Sequence, residues 1–580
     1  MARNNKSKPE DLDITSLLRN GADLDTIANT SAAGLPDILR ILADALQAGK
    51  IQYTDRKFVP CKNAGGFADK SGDLTRVLAK YTLPDSFPKK ALADASHIRA
   101  LGAEALAKRP HIRERIITID AEEAKDLDDA VSLKTTEHGW ELGIHIADVS
   151  AYVLPGSLLD KEARKRGTSV YLNHAVIPMF PPLLSDDLCS LNTGAPKLAF
   201  TAHISLDHNA VLRRVHFERT VIHVARRFSY TEVNAILQGK KDPDAPLLRE
   251  MRTLARLLRK ERHIRGSLGI ESPEIRILLD QNGQPIEVRA IKRGEAEMII
   301  EDLMVYTNEL VASFLKRNGL ALYRVHPEPE SERIREFVQY ANALGASVSA
   351  PKDTRARSMQ VLLNKIRGTQ HESILYMLFL RTMQKAVYST EDQGHYGLAA
   401  SHYTHFTSPI RRYPDLVVHR LLAAAIAAKH RPESSVRRTD AAYTQKELHT
   451  IAEQASALEQ RAVDAERDYA RLKGARFLAG HVGEIFTGKI ASLTAWGMFI
   501  TLGSIGLEGL LHVSSLKDDY YRLDAQGFAL TGQRNKKSFA LGGTIQVRIK
   551  NVDCEKGFVD LEPAESGKTD SAVRRPRKSF

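Results

Sequence analysis

Residues Arg115–Val131 read RIITIDAEEAKDLDDAV, a short apolar run followed by a dense group of acidic side chains. The β-branched residues predict a strand that ends near Asp120 and leads into a loop. The loop carries Asp126, Asp128 and Asp129, so four carboxylates stand close together in the chain. Their mutual repulsion raises their pKa values unless a cation neutralises them. A bound Mg²⁺ or Mn²⁺ would explain the pattern, because carboxylate oxygens are preferred ligands of both ions.

An ordinary surface loop or an EF-hand would also be rich in acidic side chains. In a surface loop the aspartates would cap backbone turns, and this alternative stays open on these residues alone. An EF-hand loop counted from Asp126 would place Glu137 at its last position. Such a loop requires glycine at its sharp turn, where this chain has Val131 preceded by Ala130. The EF-hand is therefore excluded.

A second polar group lies in residues 404–413, which read THFTSPIRRY. The Ser-Pro pair at 408–409 is typical of a helix start, which would place Arg411 and Arg412 in the first turn, where phosphate binds well. Pro414 allows a second interpretation, in which the helix begins there. A structural turn with both arginines paired to carboxylates is the remaining alternative. Arginines combined with a carboxylate metal site are, however, typical of phosphodiester chemistry.

Composition and charge narrow the class of protein. The chain has 580 residues, of which 43% are hydrophobic and 27% charged, an ordinary globular composition. Its net charge is +12, yet residues 1–50 carry −1 and residues 480–563 are neutral, whereas residues 51–479 carry +10. The positive charge therefore lies in the middle of the chain, where it is compatible with a polyanionic partner such as nucleic acid.

The spacing of the cysteines and the length of the apolar segments indicate the cellular compartment in which the protein is expected. Cys61, Cys189 and Cys554 are far apart in the chain, which argues against a disulfide scaffold or a thiolate zinc site and suits a reducing cytosol. The N-terminus lacks the apolar segment of a secretion signal. The longest apolar stretch, residues 421–428, is shorter than the ~20 residues that a membrane span needs. We therefore expect a cytoplasmic protein with no membrane partner.

Changes in sequence pattern divide the chain into four regions, and the predicted fold class is a multidomain α+β protein. The regions are an N-terminal domain at 1–82, a large mixed α/β domain at 83–479, a barrel at 480–563 and a tail at 564–580. The barrel prediction rests on short alternating strands with frequent glycines. The basic tail has too few apolar residues to pack, so we expect it to be disordered.

Helical and strand patterns follow one another in the N-terminal region. Apolar residues at 35–46 have helical spacing, and residues 51–60 alternate around a polar turn as in a hairpin. This order fits a winged helix-turn-helix-like domain, and a generic α+β cap explains it equally well. At the other end of the large domain, an amphipathic helix over 448–472 is predicted to end between Gly474 and Gly480.

Taken together, these motifs resemble the ribonuclease II/ribonuclease R family, whose catalytic core is the RNB domain. The resemblance is carried, in order, by the spaced aspartates, HIADVS at 145–150, RGTSVY at 166–171, VIPM at 176–179, LCSLN at 188–192, YRVH at 323–326, GHYGL at 394–398 and the THFTSPIRRY segment. A small departure is Leu127, where the family usually has an aromatic residue. Residues 480–563 resemble an S1 domain, an RNA-binding barrel with an OB-fold.

The resemblance implies a processive 3′→5′ exoribonuclease that hydrolyses single-stranded RNA to nucleoside 5′-monophosphates with two Mg²⁺ ions, Mn²⁺ being the alternative metal. The implied metal ligands are Asp120, Asp126, Asp128 and Asp129. The implied catalytic residues are Asp128, Asp129, Arg411 and Arg412. The enzyme would bind the 3′ end of single-stranded RNA as a monomer and act in RNA degradation or processing.

The resemblance also implies RNA contacts outside the aspartates and arginines. Tyr171 resembles the family tyrosine that stacks on the 3′-terminal base, with a tyrosine in a strand core as the alternative. Further implied contacts to the RNA backbone or sugars are Arg324, His326 and Glu301. In the S1-like region, the candidates for stacking on bases are Trp496, Phe499 and His512, and packing in the barrel core is the alternative for each.

One larger departure concerns the N-terminus. Family members usually carry two cold-shock domains before the catalytic domain, and the region at 1–82 is too short for both. A winged-helix-like domain in their place would contact duplex nucleic acid, although the negative charge of residues 1–50 is unfavourable for phosphate. Three other functions remain as alternatives to the exoribonuclease. They are a catalytically inactive RNA-binding relative, a nucleic-acid-binding regulator and a DNA exonuclease.

Overall fold

A computed structural model describes most of the chain outside its two termini. The described residues are 51–54, 57–60, 71–92, 95–173, 175–269, 274–280, 282–291, 293–369, 371–429, 443–524 and 527–564. The hairpin predicted at 51–60 is confirmed, because strands β1 (Ile51–Thr54) and β2 (Lys57–Pro60) pair antiparallel. The helix predicted at 35–46 and the tail beyond residue 564 lie outside the described residues.

The large domain contains strands β3 to β14. Their bounds are β3 Ile116–Asp120, β4 Asp129–Thr136, β5 Gly139–Ala147, β6 Val170–Leu172, β7 Ala175–Ile177, β8 Lys197–Leu206, β9 Leu212–Ile222, β10 Val224–Ser229, β11 Glu274–Leu279, β12 Pro285–Ile291, β13 Tyr323–Val325 and β14 Val387–Ser389. Six of them form the central sheet in the order β10-β3-β4-β5-β8-β9, and the others form two-stranded hairpins or pairs. Every neighbouring pair in the central sheet is antiparallel except β3 and β10, which are parallel. Both of these strands therefore end at the same edge of the sheet.

Twelve α-helices lie in the described residues. Their bounds are α1 Asp73–Lys80, α2 Lys89–Leu92, α3 Ala95–Lys108, α4 Leu158–Arg166, α5 Tyr230–Leu237, α6 Ala245–Arg265, α7 Glu295–Asn318, α8 Ser331–Ala343, α9 Ala356–Ile366, α10 Glu372–Thr382, α11 Tyr413–Lys429 and α12 Gln445–Ala479. A π-helix also covers residues 183–188. Helices α6 and α7 pack against each other and against β3, β4 and β5, so the middle of the central sheet is largely buried, whereas the first half of β9 is exposed.

The amphipathic helix predicted at 448–472 is confirmed as part of α12. It begins with a capping box, in which Thr444 and Glu447 satisfy each other's free backbone N–H groups. It ends at Ala479 with Gly480 as its C-cap, within the predicted interval. Its buried face packs against α1 and against the β6–β7 hairpin through Ala462, Ala465, Tyr469 and Leu472.

The barrel predicted for 480–563 is confirmed. Strands β15 (Ile485–Thr494), β16 (Gly497–Leu502), β17 (Leu507–His512), β21 (Thr544–Asp553) and β22 (Phe558–Pro563) close in the order β15-β16-β17-β22-β21. A three-stranded sheet is inserted between β17 and β21, formed by β18 (Tyr521–Leu523), β19 (Ala529–Gly532) and β20 (Ser538–Ala540). Alternate residues of β16 and β17 point into the barrel core, among them Met498, Ile500 and Leu511, as strand geometry requires.

Two further predictions concern thiols and membranes. Cys189 is buried and Cys554 partly buried, and both are free thiols, while Cys61 lies outside the described residues. Within the described part of the chain, no helix combines the length and apolar character needed to cross a bilayer.

Candidate active site

The four predicted aspartates lie at one edge of the central sheet. Asp120 ends β3 and pairs with Ser229 of β10, while Asp129 begins β4. The intervening residues 121–128, called the carboxylate loop below, return the chain from one strand to the next. Asp126 and Asp128 stand at the end of this loop, and the charges of Asp126 and Asp129 act on both Asp120 and Asp128. The tight strand-loop-strand turn therefore assembles the acidic group that the sequence predicted.

Burial controls the ionisation of these carboxyls. Burial, together with the charges of Asp129 and Asp126, raises the pKa of Asp120 to about 8. Burial raises the pKa of Asp129 to about 6, against the opposing charge of Arg411. The same cause holds the pKa of Asp128 well above its ordinary range. The side chains present therefore supply too little positive charge to ionise the group fully at neutral pH.

The donor set fits a hard divalent cation. Oδ2 of Asp120 and Oδ2 of Asp128 are buried and accept no hydrogen bond, so two carboxylate oxygens lack the donors that buried oxygens need. Among the described residues, no three His, Cys, Asp or Glu side chains converge tightly enough to enclose an ion by themselves. This arrangement suits Mg²⁺, which is usually held by one or two carboxylates and completed by water and substrate phosphate oxygens.

The arginine segment crosses the carboxylate loop, and helix α11 begins after it. Tyr413 is the first helical residue and Pro414 follows, so the expectation that Arg411 and Arg412 occupy the first turn is wrong. The reason is Pro414, whose fixed backbone angle favours a position at the helix start. The backbone N–H groups of Arg411 and Arg412 donate instead to the carbonyl of Ser408 in a turn. Ile410 N–H donates to Oδ1 of Asp128 at 2.8 Å and ties this turn to the carboxylate loop.

The two adjacent arginines have different surroundings. Arg412 forms a bidentate pair with the buried carboxylate of Asp415, with N···O distances of 2.9 and 2.7 Å. The Arg411 guanidinium is about half exposed, and its Nε lies 3.6 Å from Oδ2 of Asp128. Its Nη2 donates to the hydroxyl of Ser408 at 3.2 Å. Arg411 therefore keeps donors available for a ligand, whereas Arg412 is paired with a carboxylate, as the structural-turn alternative predicted.

A cavity of about 270 Å³ opens beside these residues. Its lining includes the site residues Asp129, Glu301, Arg411 and Arg412. It also includes residues that the sequence analysis missed, namely Tyr230, Glu297, Asn308, Tyr403, Thr407 and Ser408. Tyr230 directly follows β10 and so lies at the same sheet edge as the aspartates, but the long-range pairing of β10 with β3 that brings it there leaves no local signal in the sequence. The cavity gives Asp129 and Arg411 a common space in which a phosphate-bearing ligand would fit.

Tyr171 lies next to the carboxylates. It is the middle residue of β6, and its neighbours Val170 and Leu172 are buried against α12 while Tyr171 itself is 37% exposed. Its hydroxyl donates to Oδ2 of Asp126 at 2.7 Å, and its backbone N–H donates to Glu466 at 2.9 Å. Tyr171 is therefore an exposed ring at the edge of the site rather than a strand-core side chain.

The three weaker candidates are held by other protein groups. Arg324 donates to Glu459 at 2.6 Å and stacks over the ring of Tyr388. His326 accepts the backbone N–H of Gly397 through Nδ1, and burial lowers its pKa. Glu301 is exposed and lines the cavity, where it pairs with Arg293 at 3.0 Å. Of the three, the structure brings only Glu301 to the cavity, and the RNA contacts of all three stay predictions.

The barrel candidates lie outside the barrel core. Trp496 is 46% exposed in the turn before β16, and its ring meets that of Phe499 edge to face at 5.6 Å. His512 ends β17 opposite Gly497, is exposed and bonds to the Ser514 hydroxyl. Phe499 is half-buried and alternates with the core residues of β16. Phe499 and His512 therefore lie on the outer surface of β16 and β17, with Trp496 in the adjoining turn, which removes the core alternative.

Comparison with known families and proteins identifies two matching regions. Residues 109–428 match the RNB domain family, and residues 481–562 match the S1 RNA binding domain family. Ribonuclease R 1 of Lactococcus lactis is 38% identical over 530 residues, which are 88% of this chain and 64% of that protein. Ribonuclease R of Escherichia coli is 36% identical over 544 residues, which are 90% of this chain and 67% of that protein. The chain thus spans about two thirds of the length of these relatives.

Solved structures agree with this similarity. Apo RNase R of Mycoplasma genitalium superposes with a TM-score of 0.80 at 28% identity, over 87% of this chain and 80% of that one. The same enzyme in complex with ribose-methylated single-stranded RNA gives a TM-score of 0.80 at 27% identity, with the same coverage.

Proposed function

Because the chain belongs to the RNB domain family, we propose that it is a 3′→5′ exoribonuclease that acts on single-stranded RNA. The observation that carries the proposal is the pair of buried carboxylate oxygens without donors, on Asp120 and Asp128, beside the exposed guanidinium of Arg411. A site that lacks positive charge among its carboxylates and offers an arginine to an anion suits metal-assisted hydrolysis of a phosphodiester. Similarity to enzymes named ribonuclease R supports RNA as the substrate.

Asp120, Asp126, Asp128 and Asp129 would hold the metal, which we propose to be two Mg²⁺ ions, with Mn²⁺ able to replace them. When bound, such ions lower the pKa of a water molecule and stabilise charge on phosphoryl oxygens. The oxygen-only donor set favours these hard ions over zinc or copper. The pKa of Asp120, raised to about 8, indicates that metal binding would displace a proton from this carboxyl at neutral pH.

The remaining site residues position the substrate. Arg411 would donate to the scissile phosphate and stabilise the negative charge that grows on its oxygens. Arg412 would act indirectly: its pair with Asp415 would hold the turn that places Arg411 at the phosphate. Tyr171 would stack on the 3′-terminal base, and its bond to Asp126 would couple that base to the metal ligands. Water would attack the phosphorus of the last phosphodiester, and the 3′ oxygen of the preceding nucleotide would depart. The terminal nucleotide would therefore be released as a nucleoside 5′-monophosphate.

The rest of the chain would guide RNA to this site. Trp496, Phe499 and His512 would stack on bases from the outer barrel surface, a sequence-tolerant contact that suits processive movement. Arg324 and His326 would contact the backbone only if they left their present partners, whereas Glu301 already lines the cavity. We propose domain limits of 1–82, 83–479 and 480–563, with a tail at 564–580. The enzyme would be monomeric and cytoplasmic. Its N-terminal domain would contact duplex nucleic acid.

The proposal is tested on 5′-labelled oligo(A) with and without Mg²⁺. The wild-type protein is expected to shorten the oligomer from its 3′ end only when Mg²⁺ is present. Asp129→Asn should reduce the rate by roughly 10²-fold or more, because it removes charge from the metal site. Glu137→Gln, an exposed acid in the turn between β4 and β5, is the matched control and should leave the rate unchanged. RNA binding without shortening would instead identify an inactive RNA-binding relative.

A further inference from the structure

The carboxylate loop is held by side chains from two distant segments of the chain. Its own backbone has one internal hydrogen bond within the described part of the chain, from Ala124 N–H to the Ala121 carbonyl at 3.1 Å. A loop of this kind that carries several mutually repelling carboxylates needs other partners to keep one conformation. Among the described residues, the side chains that bind the backbone of the loop are Arg227 on β10 and Ser190 in the LCSLN motif, and neither has a role in the proposed function.

Arg227 binds the first half of the loop. Its Nη2 donates to the carbonyls of Ala121, Glu122 and Ala124, at 3.2, 3.1 and 2.7 Å. The residue reaches them because β10 runs parallel to β3, so that Arg227 lies beside Thr118, two residues before β3 ends. A guanidinium at three converging carbonyls closes the turn and places a positive charge near Asp120.

Ser190 binds the second half of the loop. It is fully buried, and its hydroxyl donates to the Lys125 carbonyl at 2.6 Å and accepts the Leu127 N–H at 3.1 Å. The next residue adds a backbone bond, since Leu191 N–H donates to the Leu127 carbonyl at 3.0 Å. A single hydroxyl therefore fixes the backbone on both sides of Asp126, immediately before Asp128.

We propose that Arg227 and Ser190 are positioning residues that hold the carboxylate loop in its metal-binding conformation. Their hydrogen bonds to the loop go to its backbone, and each residue acts through the chain to which Asp120, Asp126 and Asp128 are attached. The serine of the LCSLN motif, Ser190, thereby has the role of holding the backbone of the carboxylate loop. The inference rests on the proposed metal site, and it adds two residues that control the affinity of that site.

The experiment uses the full-length protein without RNA and measures Mn²⁺ binding by isothermal titration calorimetry. Arg227→Lys retains the charge but replaces the planar guanidinium with one ammonium, and Ser190→Ala removes both hydrogen bonds of the hydroxyl. Loss of groups that orient metal ligands typically weakens metal affinity by about 10- to 100-fold, so each variant is expected to bind Mn²⁺ about tenfold more weakly. Hydrogen exchange at residues 121–128 should also accelerate in the absence of metal.

Matched controls separate positioning from a general loss of stability. Arg226→Lys changes the neighbouring arginine of β10, which pairs with Asp242 and Asp244 instead of the loop. Ser267→Ala changes a buried serine whose hydroxyl donates to the Gly397 carbonyl instead of to the loop. Both controls should keep wild-type Mn²⁺ affinity and loop protection. Unchanged affinity and protection in folded Arg227→Lys and Ser190→Ala would overturn the inference.

The readouts distinguish failure of this inference from failure of the proposed function. If the wild-type protein bound no Mn²⁺, the metal site itself would be wrong, whatever the loop variants did. If Ser190→Ala proved unfolded in a thermal scan, Arg227→Lys alone would decide the outcome, because it preserves charge at a half-buried position.

Discussion

At the scale of single residues, neighbouring side chains of the same type have different surroundings because their partners differ. Arg411 and Arg412 are adjacent, yet only Arg412 has a buried carboxylate, Asp415, in bidentate contact. No local pattern in the sequence tells them apart, because Asp415 lies three residues from Arg412 and four from Arg411, and only the helix that begins at Tyr413 turns it toward Arg412. The structure therefore separates a residue available to substrate from one that maintains the turn.

This separation predicts opposite phenotypes for the two arginines. Arg411→Ala should lower kcat by about 10²–10³-fold with little change in stability, because it removes a donor to the phosphate. Arg412→Ala should lower the free energy of unfolding by about 3–5 kcal/mol, because it leaves Asp415 buried and unpaired. Single-turnover kinetics and urea denaturation measure the two effects. A stable Arg412→Ala protein with a selective loss of kcat would contradict the assignment.

Asp148, in the HIADVS motif, acts in the core rather than in the site. Although burial opposes its ionisation, Arg219, His419 and Arg109 hold the pKa of Asp148 well below its usual range. Its carboxylate lies 2.8 Å from Arg109 and 3.0 Å from Arg219. A depressed pKa in the folded state contributes stability that is present above the unfolded pKa of about 4 and is lost as pH falls toward the folded value.

Asp148→Asn should therefore destabilise the protein by about 3 kcal/mol at pH 7, since the arginines lose their buried partner. The difference from the wild-type protein should stay constant down to about pH 4 and shrink below it, because the wild-type carboxylate then begins to lose its advantage. Denaturant unfolding of both proteins across this range measures the difference. A gap that widened as the pH fell would show that the sign is wrong.

At the scale of elements, the spacing of apolar residues predicted those strands and helices that depend on nearby residues in the sequence. Alternating apolar residues predicted the barrel strands, and helical spacing predicted α12 with its end near Gly480. The acidic stretch was predicted as a strand followed by a loop, and the aspartates do gather at the end of β3. The parallel pairing of β3 with β10, by contrast, joins segments about a hundred residues apart and leaves no local signal.

That missing signal explains which site residues were overlooked. Arg227 and Tyr230 reach the aspartates only because β10 lies beside β3, and Ser190 only because Leu191 pairs with Leu127. Long-range contacts of this kind cannot be read from spacing. Arg324 differs from these residues because its motif did single it out as an RNA contact. In the structure its guanidinium is paired with Glu459, a partner that the motif did not reveal.

The barrel surface allows a prediction at this scale. Trp496→Ala should weaken binding of single-stranded RNA by about 1–3 kcal/mol, because it removes an exposed stacking surface without opening the core. Tyr520→Ala is the control, since Tyr520 is 75% exposed beside the inserted sheet rather than on β16 and β17. Filter binding without Mg²⁺ measures both affinities. Equal losses in the two variants would argue against a specific stacking face.

At the scale of the whole molecule, charge and fold are consistent with each other. The excess of +10 lies in residues 51–479, the part of the sequence that also contains the four aspartates, while the barrel region is neutral. An excess of positive charge would attract RNA, and the local negative group would then require a cation before a phosphate could approach. Hydrolysis at the carboxylates would then leave the phosphate on the 5′ oxygen of each released nucleotide.

This outcome is tested by identifying the product that the full-length protein releases from poly(A) in Mg²⁺, by mass spectrometry at early times. We expect adenosine 5′-monophosphate from the first time point, with the 5′ end of the polymer intact until late in the reaction. Release of adenosine 3′-monophosphate, of a nucleoside diphosphate or of internal fragments would contradict the proposed hydrolysis.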